Sequence, residues 1–312
     1  MFFKNANENT VFRLKSLTQS VILGTVIAIF TLELAFIYKL GVEEGIVKDP
    51  MQKTGYINIA QIEISNEITD QTAKNFIEKL EAIRYDDNYE QVLVIINSGG
   101  GSPTASDEIA NYLVDFQKDK KVTLYVQSIA TSGAYYIASS VKPIYANPNA
   151  IVGSIGVIMP HYVIADVAHK VGIIEDHITE GKYKVPVSMF KKATQEDKAY
   201  LSNNLLNPVY ENFKAFVAKH RGVSLILLEP YTEGRIFAAS MPEIKGILVD
   251  EIINETSLKN KIQASLSEEF KVDKKEVVFV NLDTKKKADS FFNVNVNLNA
   301  DKILESANLR FQ

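Results

Sequence analysis

Two short stretches of this chain carry residue types that together could cleave an acyl bond. They are Ala130-Thr131-Ser132-Gly133-Ala134-Tyr135-Tyr136 and Gly181-Lys182-Tyr183-Lys184. A serine hydroxyl attacks poorly until a base removes its proton. Histidine is the usual base, and a lysine can replace it where burial keeps the amine neutral. Ser132, followed by small residues and an apolar run, is the candidate nucleophile. Lys182 and Lys184 both stand as candidate bases. Each stretch alone also has an ordinary reading: a Ser-Gly turn or helix N-cap, and a solvated loop lysine.

A site of this kind needs elements that bring distant residues together. Tyr56 to Ile64 alternates apolar and polar residues as a strand does, and Thr69 to Ile83 has helical spacing. Gln91 to Ile96 is a continuous apolar run, as in a buried parallel strand. Thr104 to Phe116 returns to helical spacing, Val122 to Val126 is strand-like, and Ser132 to Ser139 reads as a short helix. This alternation predicts an α/β fold with a mostly parallel sheet and crossover helices. Thr194 with Asp197 suits the start of a long helix toward Lys219, which Pro208 should kink or divide. Thr256 begins a further amphipathic helix ending near Glu268. Phe292 to Asn299 alternates at period two, which predicts a strand.

Composition narrows the class. With 46% hydrophobic and 23% charged residues, a packed core is expected. A net charge of −4 argues against general nucleic-acid binding. The absence of cysteine removes disulfides, thiolate catalysis and cysteine-based zinc sites. His161, His169, His177 and His220 are scattered singly and form no H-E-x-x-H arrangement, so no metal site is expected.

Val21 to Tyr38 carries one charge, Glu33, and is long enough to span a bilayer core of ~30 Å. A cleaved signal peptide would have a shorter apolar region and a small-x-small site after it, unlike Tyr38-Lys39-Leu40. Arg13 and Lys15 precede the span and Glu43 and Glu44 follow it. The positive-inside tendency therefore puts the N-terminus in the cytoplasm and the rest outside.

Four blocks, in order, resemble the signal peptide peptidase A family, bacterial membrane-bound serine–lysine proteases with the crotonase/Clp-protease type of fold. They are Ile95-Ile96-Asn97-Ser98-Gly99-Gly100-Gly101-Ser102; Thr131-Ser132-Gly133-Ala134-Tyr135-Tyr136-Ile137-Ala138; Ile144-Tyr145-Ala146-Asn147-Pro148 continuing to Gly153-Ser154-Ile155-Gly156-Val157-Ile158; and Gly181-Lys182-Tyr183-Lys184. A weaker fifth block is Gly234-Arg235-Ile236-Phe237 with Gly246-Ile247-Leu248-Val249-Asp250. The resemblance implies Ser132 as nucleophile and Lys184, last in its block, as base. It also implies that the amides of Gly101 and Gly133 form the oxyanion hole and that the Ser154 hydroxyl orients the lysine. The chain departs from the family at Gly99, where proline is usual, which should loosen the loop, and mildly at Ala134.

The implied protein is a single-domain form that needs no cofactor and cuts peptide substrates such as signal peptide remnants and unfolded segments. It would be anchored in the bacterial cytoplasmic membrane through Val21–Tyr38 and assembled as a homo-oligomeric ring. Its expected segments are 1–19 cytoplasmic, 20–40 anchor, 41–54 linker, 55–267 peptidase domain and 268–312 C-terminal extension. The rival readings are a catalytically silent scaffold and an acyl-CoA-processing enzyme of the crotonase type. In the second of these, the serine, the lysine and the anchor would have no purpose.

Overall fold

The computed structural model describes residues 21–39 and 55–283. The first segment is one helix, α1 (Val21–Lys39), of 19 residues. At about 1.5 Å per residue its length approaches the ~30 Å depth of a bilayer core, and it is apolar enough to cross one. α1 and the α/β body are separate compact units.

The body begins with β1 (Ile57–Ile68), α2 (Asp70–Glu81), β2 (Tyr89–Gly101), α3 (Pro103–Phe116), β3 (Lys121–Thr131), α4 (Gly133–Ser139), β4 (Ile144–Ala146) and β5 (Ile151–Gly153). Val92 to Ile96 are buried, so β2 has no polar face, and it pairs in parallel with β1 and β3. The crossover helices start at recognisable caps. Thr69 and Thr72 exchange capping-box bonds ahead of α2. Ser102 accepts from the Ala105 N–H ahead of α3, with Pro103 at the first helical position.

β3 serves two parallel partners along one edge: Leu124–Val126 pair with β4 and Ile129–Thr131 with β5. After β5 come α5 (Ala165–Lys170), α6 (Gln195–Leu201), α7 (Asn207–Arg221) and α8 (Leu225–Leu228). Next are β6 (Ile236–Ala238), β7 (Glu251–Ile252), α9 (Glu255–Phe270) and β8 (Val277–Asn281). The main sheet order is β6-β5-β3-β2-β1-β8, with β4 on β3 and β7 on β4. β6 pairs antiparallel with β5, and β8 lies parallel to β1. Asp283 closes that edge by accepting from the Glu63 N–H at 3.0 Å and from Lys79 Nζ at 2.5 Å. The alternating Phe292–Asn299 segment lies outside the described residues.

α6 and α7 form one helical rod with a π turn, Ser202–Leu206, between them. Thr194 and Asp197 make the capping box that starts it. Pro208 accounts for the break in pattern, because proline has no N–H and its ring crowds the carbonyl four residues back. Just ahead of it, the Asn207 N–H donates to the Ser202 carbonyl, five residues back. Gly222, at φ 68°, ends the rod in the left-handed region.

Arg221, at the end of α7, is fully buried, with Nη2 2.8 Å from Asp250 Oδ1. Its Nε donates to the Ile247 carbonyl at 2.8 Å, and Asp250 Oδ2 accepts from the Ile144 N–H at 2.7 Å. Burial alone would raise the Asp250 carboxyl, but Arg221 and the Ile144 N–H hold it below the usual range. Asp250→Ala would leave a buried guanidinium unpaired and is expected to cost about 3 kcal/mol in chemical denaturation. A depressed carboxyl stabilises fully above its unfolded value, about 3.9, and loses that contribution as pH falls through the folded one. The stability gap between the native chain and Asp250→Asn should therefore narrow in acid below about pH 4, read as denaturation midpoints across a pH series.

Candidate active site

β2 and β3 are parallel neighbours, so their C-terminal ends arrive at the same end of the sheet. β2 ends in Gly99-Gly100-Gly101, and β3 runs directly into Ser132 and α4. Contact between these ends is backbone on backbone. A Cβ added to Gly100, which sits at φ 108°, would lie 2.8 Å from Ser132 Cβ and 2.9 Å from the Gly133 nitrogen. A Cβ added to Gly133 would lie 2.3 Å from Ser106 Oγ and 3.4 Å from the Gly101 nitrogen. Only glycines permit this approach, and it packs the Gly100–Gly101 backbone against Ser132 and Gly133.

Ser132 has φ 55° and ψ −129°, a conformation that a residue with a Cβ seldom adopts. Strain of this kind persists where surrounding bonds over-determine it. Here the Ser132 N–H donates to Gly153 O at 2.9 Å, and Ser132 O accepts from the Tyr135 and Tyr136 N–H groups. The Ser132 side chain makes no capping bond to α4, so the ordinary N-cap role is not the one it plays.

The glycine turn is tied down without the family's proline. Thr131 Oγ1 donates to Gly99 O at 3.1 Å, and the Gly100 N–H donates to Ser98 Oγ at 3.1 Å. Ser98 Oγ in turn donates to the Asn66 carbonyl.

Ser132, Gly133 and Gly101 line one cavity of about 350 Å³. Its apolar walls come from Tyr136, Val157, Ile158, Val209 and Phe213, and its rim carries Thr104, Asp107, Glu108 and Asn212. Tyr136 is held in place by donating to Asp107 Oδ1 at 2.6 Å and stacking on Phe216 at 4.1 Å. Burial first, and then the bond to Asp107, push its phenol well above the ordinary tyrosine value, so it stays protonated. Sequence reasoning missed the α7 contribution. The signal was the i, i+3, i+4 spacing of Val209, Asn212 and Phe213 just after Pro208.

Ser154 directly follows Gly153, whose carbonyl receives the Ser132 N–H. It too has positive φ, 53°, and its own N–H donates to Arg235 O at 2.6 Å. Gly234 N–H donates to Ile155 O, which joins the fifth sequence block to the third. Ser154 does not line the cavity, but Gly156, two residues on, does.

Lys184 lies on the long connection between α5 and α6, where its N–H closes a turn to Gly181 O at 3.1 Å. Its side chain is exposed in the single chain. Among the described residues no hydrogen bond joins Lys184 to Ser132 or Ser154. Lys182 pairs with Glu196 instead. The structure thus brings Ser132, Gly101 and Gly133 to one cavity, sets Ser154 next to the Gly153 that anchors Ser132, and shows no hydrogen bond from Lys184 to either serine.

The family described as Peptidase family S49 matches residues 114–269. A protein of Methanocaldococcus jannaschii with a provisional protease name is 34% identical over 191 residues, covering 61% of each chain. A Synechocystis protein with a provisional protease name is 31% identical, covering 66% of this chain and 73% of its own length. The chain belongs to peptidase family S49. An Enterococcus faecium protein provisionally named signal peptide peptidase SppA is 29% identical over 69% of this chain and 59% of its own. The chain therefore spans about three fifths of the archaeal and enterococcal relatives. The S49 match runs from the end of α3 through α9 and includes Ser132, Ser154 and Lys184. The parallel sheet with crossover helices is the Clp-protease type of architecture that the sequence blocks implied.

The glycine contacts yield a graded test. At Gly99, no atom lies within 4 Å of an added Cβ and φ is not in the left-handed region, so Gly99→Ala should stabilise by about 0.4–1 kcal/mol. At Gly101 the same methyl would sit 2.2 Å from the Ile68 carbonyl oxygen, so Gly101→Ala should shift the turn and lower the melting temperature. Thermal melts of the two variants, compared side by side, check the ordering.

Proposed function

We propose that this chain is a membrane-anchored serine endopeptidase in which Ser132 is the nucleophile and Lys184 the base. The observation that carries the reading is the strained Ser132, uncommitted as a cap, at the wall of a cavity that Gly101 and Gly133 also line. Ser132 Oγ would attack the peptide carbonyl while Lys184 Nζ takes its proton. The two glycine amides would hold the oxyanion. Collapse expels the amine, which takes the proton back from Lys184, and water then hydrolyses the acyl-enzyme with the same lysine as base. Ser154, one residue beyond the Ser132 anchor at Gly153, suits the orienting role.

Lys184 is exposed in the single chain, so a neutral amine there needs cover from a substrate or a second copy. The connection that carries it has exposed apolar side chains, among them Ile173, Ile174, Ile178 and Met189. An exposed apolar stretch of this size supports self-assembly. α1 supports anchoring in a bilayer, and Arg13 and Lys15 before it support a cytoplasmic N-terminus with the peptidase body outside.

The apolar walls favour apolar peptides such as signal peptide remnants, and Asp107 and Glu108 at the rim disfavour acidic ones. In a peptide-library digest, apolar residues are expected before the cut and acidic residues should be the poorest. A dominant acidic preference would refute this.

The nucleophile and base are tested together. A fluorophosphonate probe should label the intact protein at Ser132 and fail on Ser132→Ala. Lys184→Arg should be silent because guanidinium does not deprotonate. Lys182→Arg keeps the charge that faces Glu196 and should label normally. Normal labelling of Lys184→Arg would remove Lys184 from the mechanism.

A further inference from the structure

We propose that Glu196 and Tyr200, on α6, are positioning residues that hold the Gly181–Lys184 turn for catalysis, and that the α6–π–α7 rod ties this turn to the substrate cavity. The inference deepens the reading above and rests on Lys184 being the base.

The turn that carries Lys184 is short and is fastened at two neighbouring residues. Tyr183 stacks on Tyr200 with ring centroids 4.1 Å apart and planes 5° from parallel. The Tyr183 hydroxyl donates to Glu196 Oε1 at 2.9 Å. Lys182 Nζ pairs with the same carboxylate oxygen and lies over the Tyr183 ring. Both anchors are one helical turn apart on α6, so they present one face to the loop. A ring stack with a hydroxyl bond at its far end fixes both the tilt and the in-plane rotation of Tyr183, which a single ion pair would not do. Lys184 follows Tyr183 directly, so its Cα inherits that orientation.

α6 continues without a break through the π turn into α7. The far part of the rod supplies Val209, Asn212 and Phe213 to the cavity at Ser132. The π turn itself lies beside Gly156 and Val157, where Ser202 and Leu206 line a smaller hollow with them. One rigid element therefore touches the base-bearing turn at one end and the nucleophile's cavity at the other. The π turn resets its register between the two, and single π turns inside helices recur at functional sites. A misplacement of about 1 Å in a catalytic group can cost a hundredfold in rate.

The experiment uses the full-length protein and two readouts, the rate of fluorophosphonate labelling at Ser132 and the kcat and KM for an unfolded protein substrate. Tyr200→Ala should slow labelling and lower kcat by about tenfold to a hundredfold with little change in KM. Tyr200→Phe keeps the stack and should restore both. Glu196→Gln removes the charge facing Lys182 and should fall between them, which guards against simple misfolding of Tyr200→Ala. Native rates in both Tyr200→Ala and Glu196→Gln, with Lys184→Arg silent, would overturn the positioning role and leave the base assignment standing. Normal labelling of Lys184→Arg would overturn both. A loss confined to KM would also overturn the proposal, since it would assign the clamp to substrate binding.

Discussion

The close approach of the Gly100–Gly101 turn to Thr131–Gly133 is the constraint on which the rest of the site depends. Two parallel strands end side by side, and their trailing segments touch through backbone atoms because no side chain stands between them. The strained Ser132 and the glycine-lined wall of the cavity both sit at that contact. Bonds from Thr131, Ser98 and Gly153 hold it from three directions. The buried parallel sheet supplies the rigidity that makes such strain affordable.

The proposed nucleophile and the proposed base come from different layers of the structure. The lysine-bearing turn lies on a half-exposed connection, not on the sheet. Its geometry is set by aromatic stacking and a shared carboxylate rather than by a packed core. The two halves of the site are thus held by interactions of different stiffness. The Ser132 segment is tied into the backbone at the strand ends, while the Gly181–Lys184 turn rests on a surface clamp.

Much of this was legible in the residues. The apolar run at Gln91–Ile96 announced a buried parallel strand. The helical spacing from Thr69 and the cap pair Thr194–Asp197 marked helix starts that the structure keeps. Pro208 foretold a disturbance, but whether it would be a kink or a π turn depends on how the neighbouring carbonyls find donors. The α7 wall was hidden because helical spacing alone does not say which surface a helix will cover. The exposure of Lys184 was hidden for a related reason. Burial is a property of what packs against a residue, and its own local sequence carries no record of that. Val277–Asn281 had too short a pattern to reveal its long-range partner, β1.

That last pairing has a consequence for how the chain is made. β1 is among the first parts of the α/β body to be synthesised, yet its outer neighbour comes from near the other end. The bond from the Glu63 N–H to Asp283 closes a loop of 220 positions. Contacts this distant in sequence are slow to form, since the closure entropy is spent before the pairing repays it. Until they form, one side of β1 is an open row of amides and carbonyls, which invites pairing with other chains. The interval between translating β1 and β8 is therefore a period in which this edge is open to misassembly.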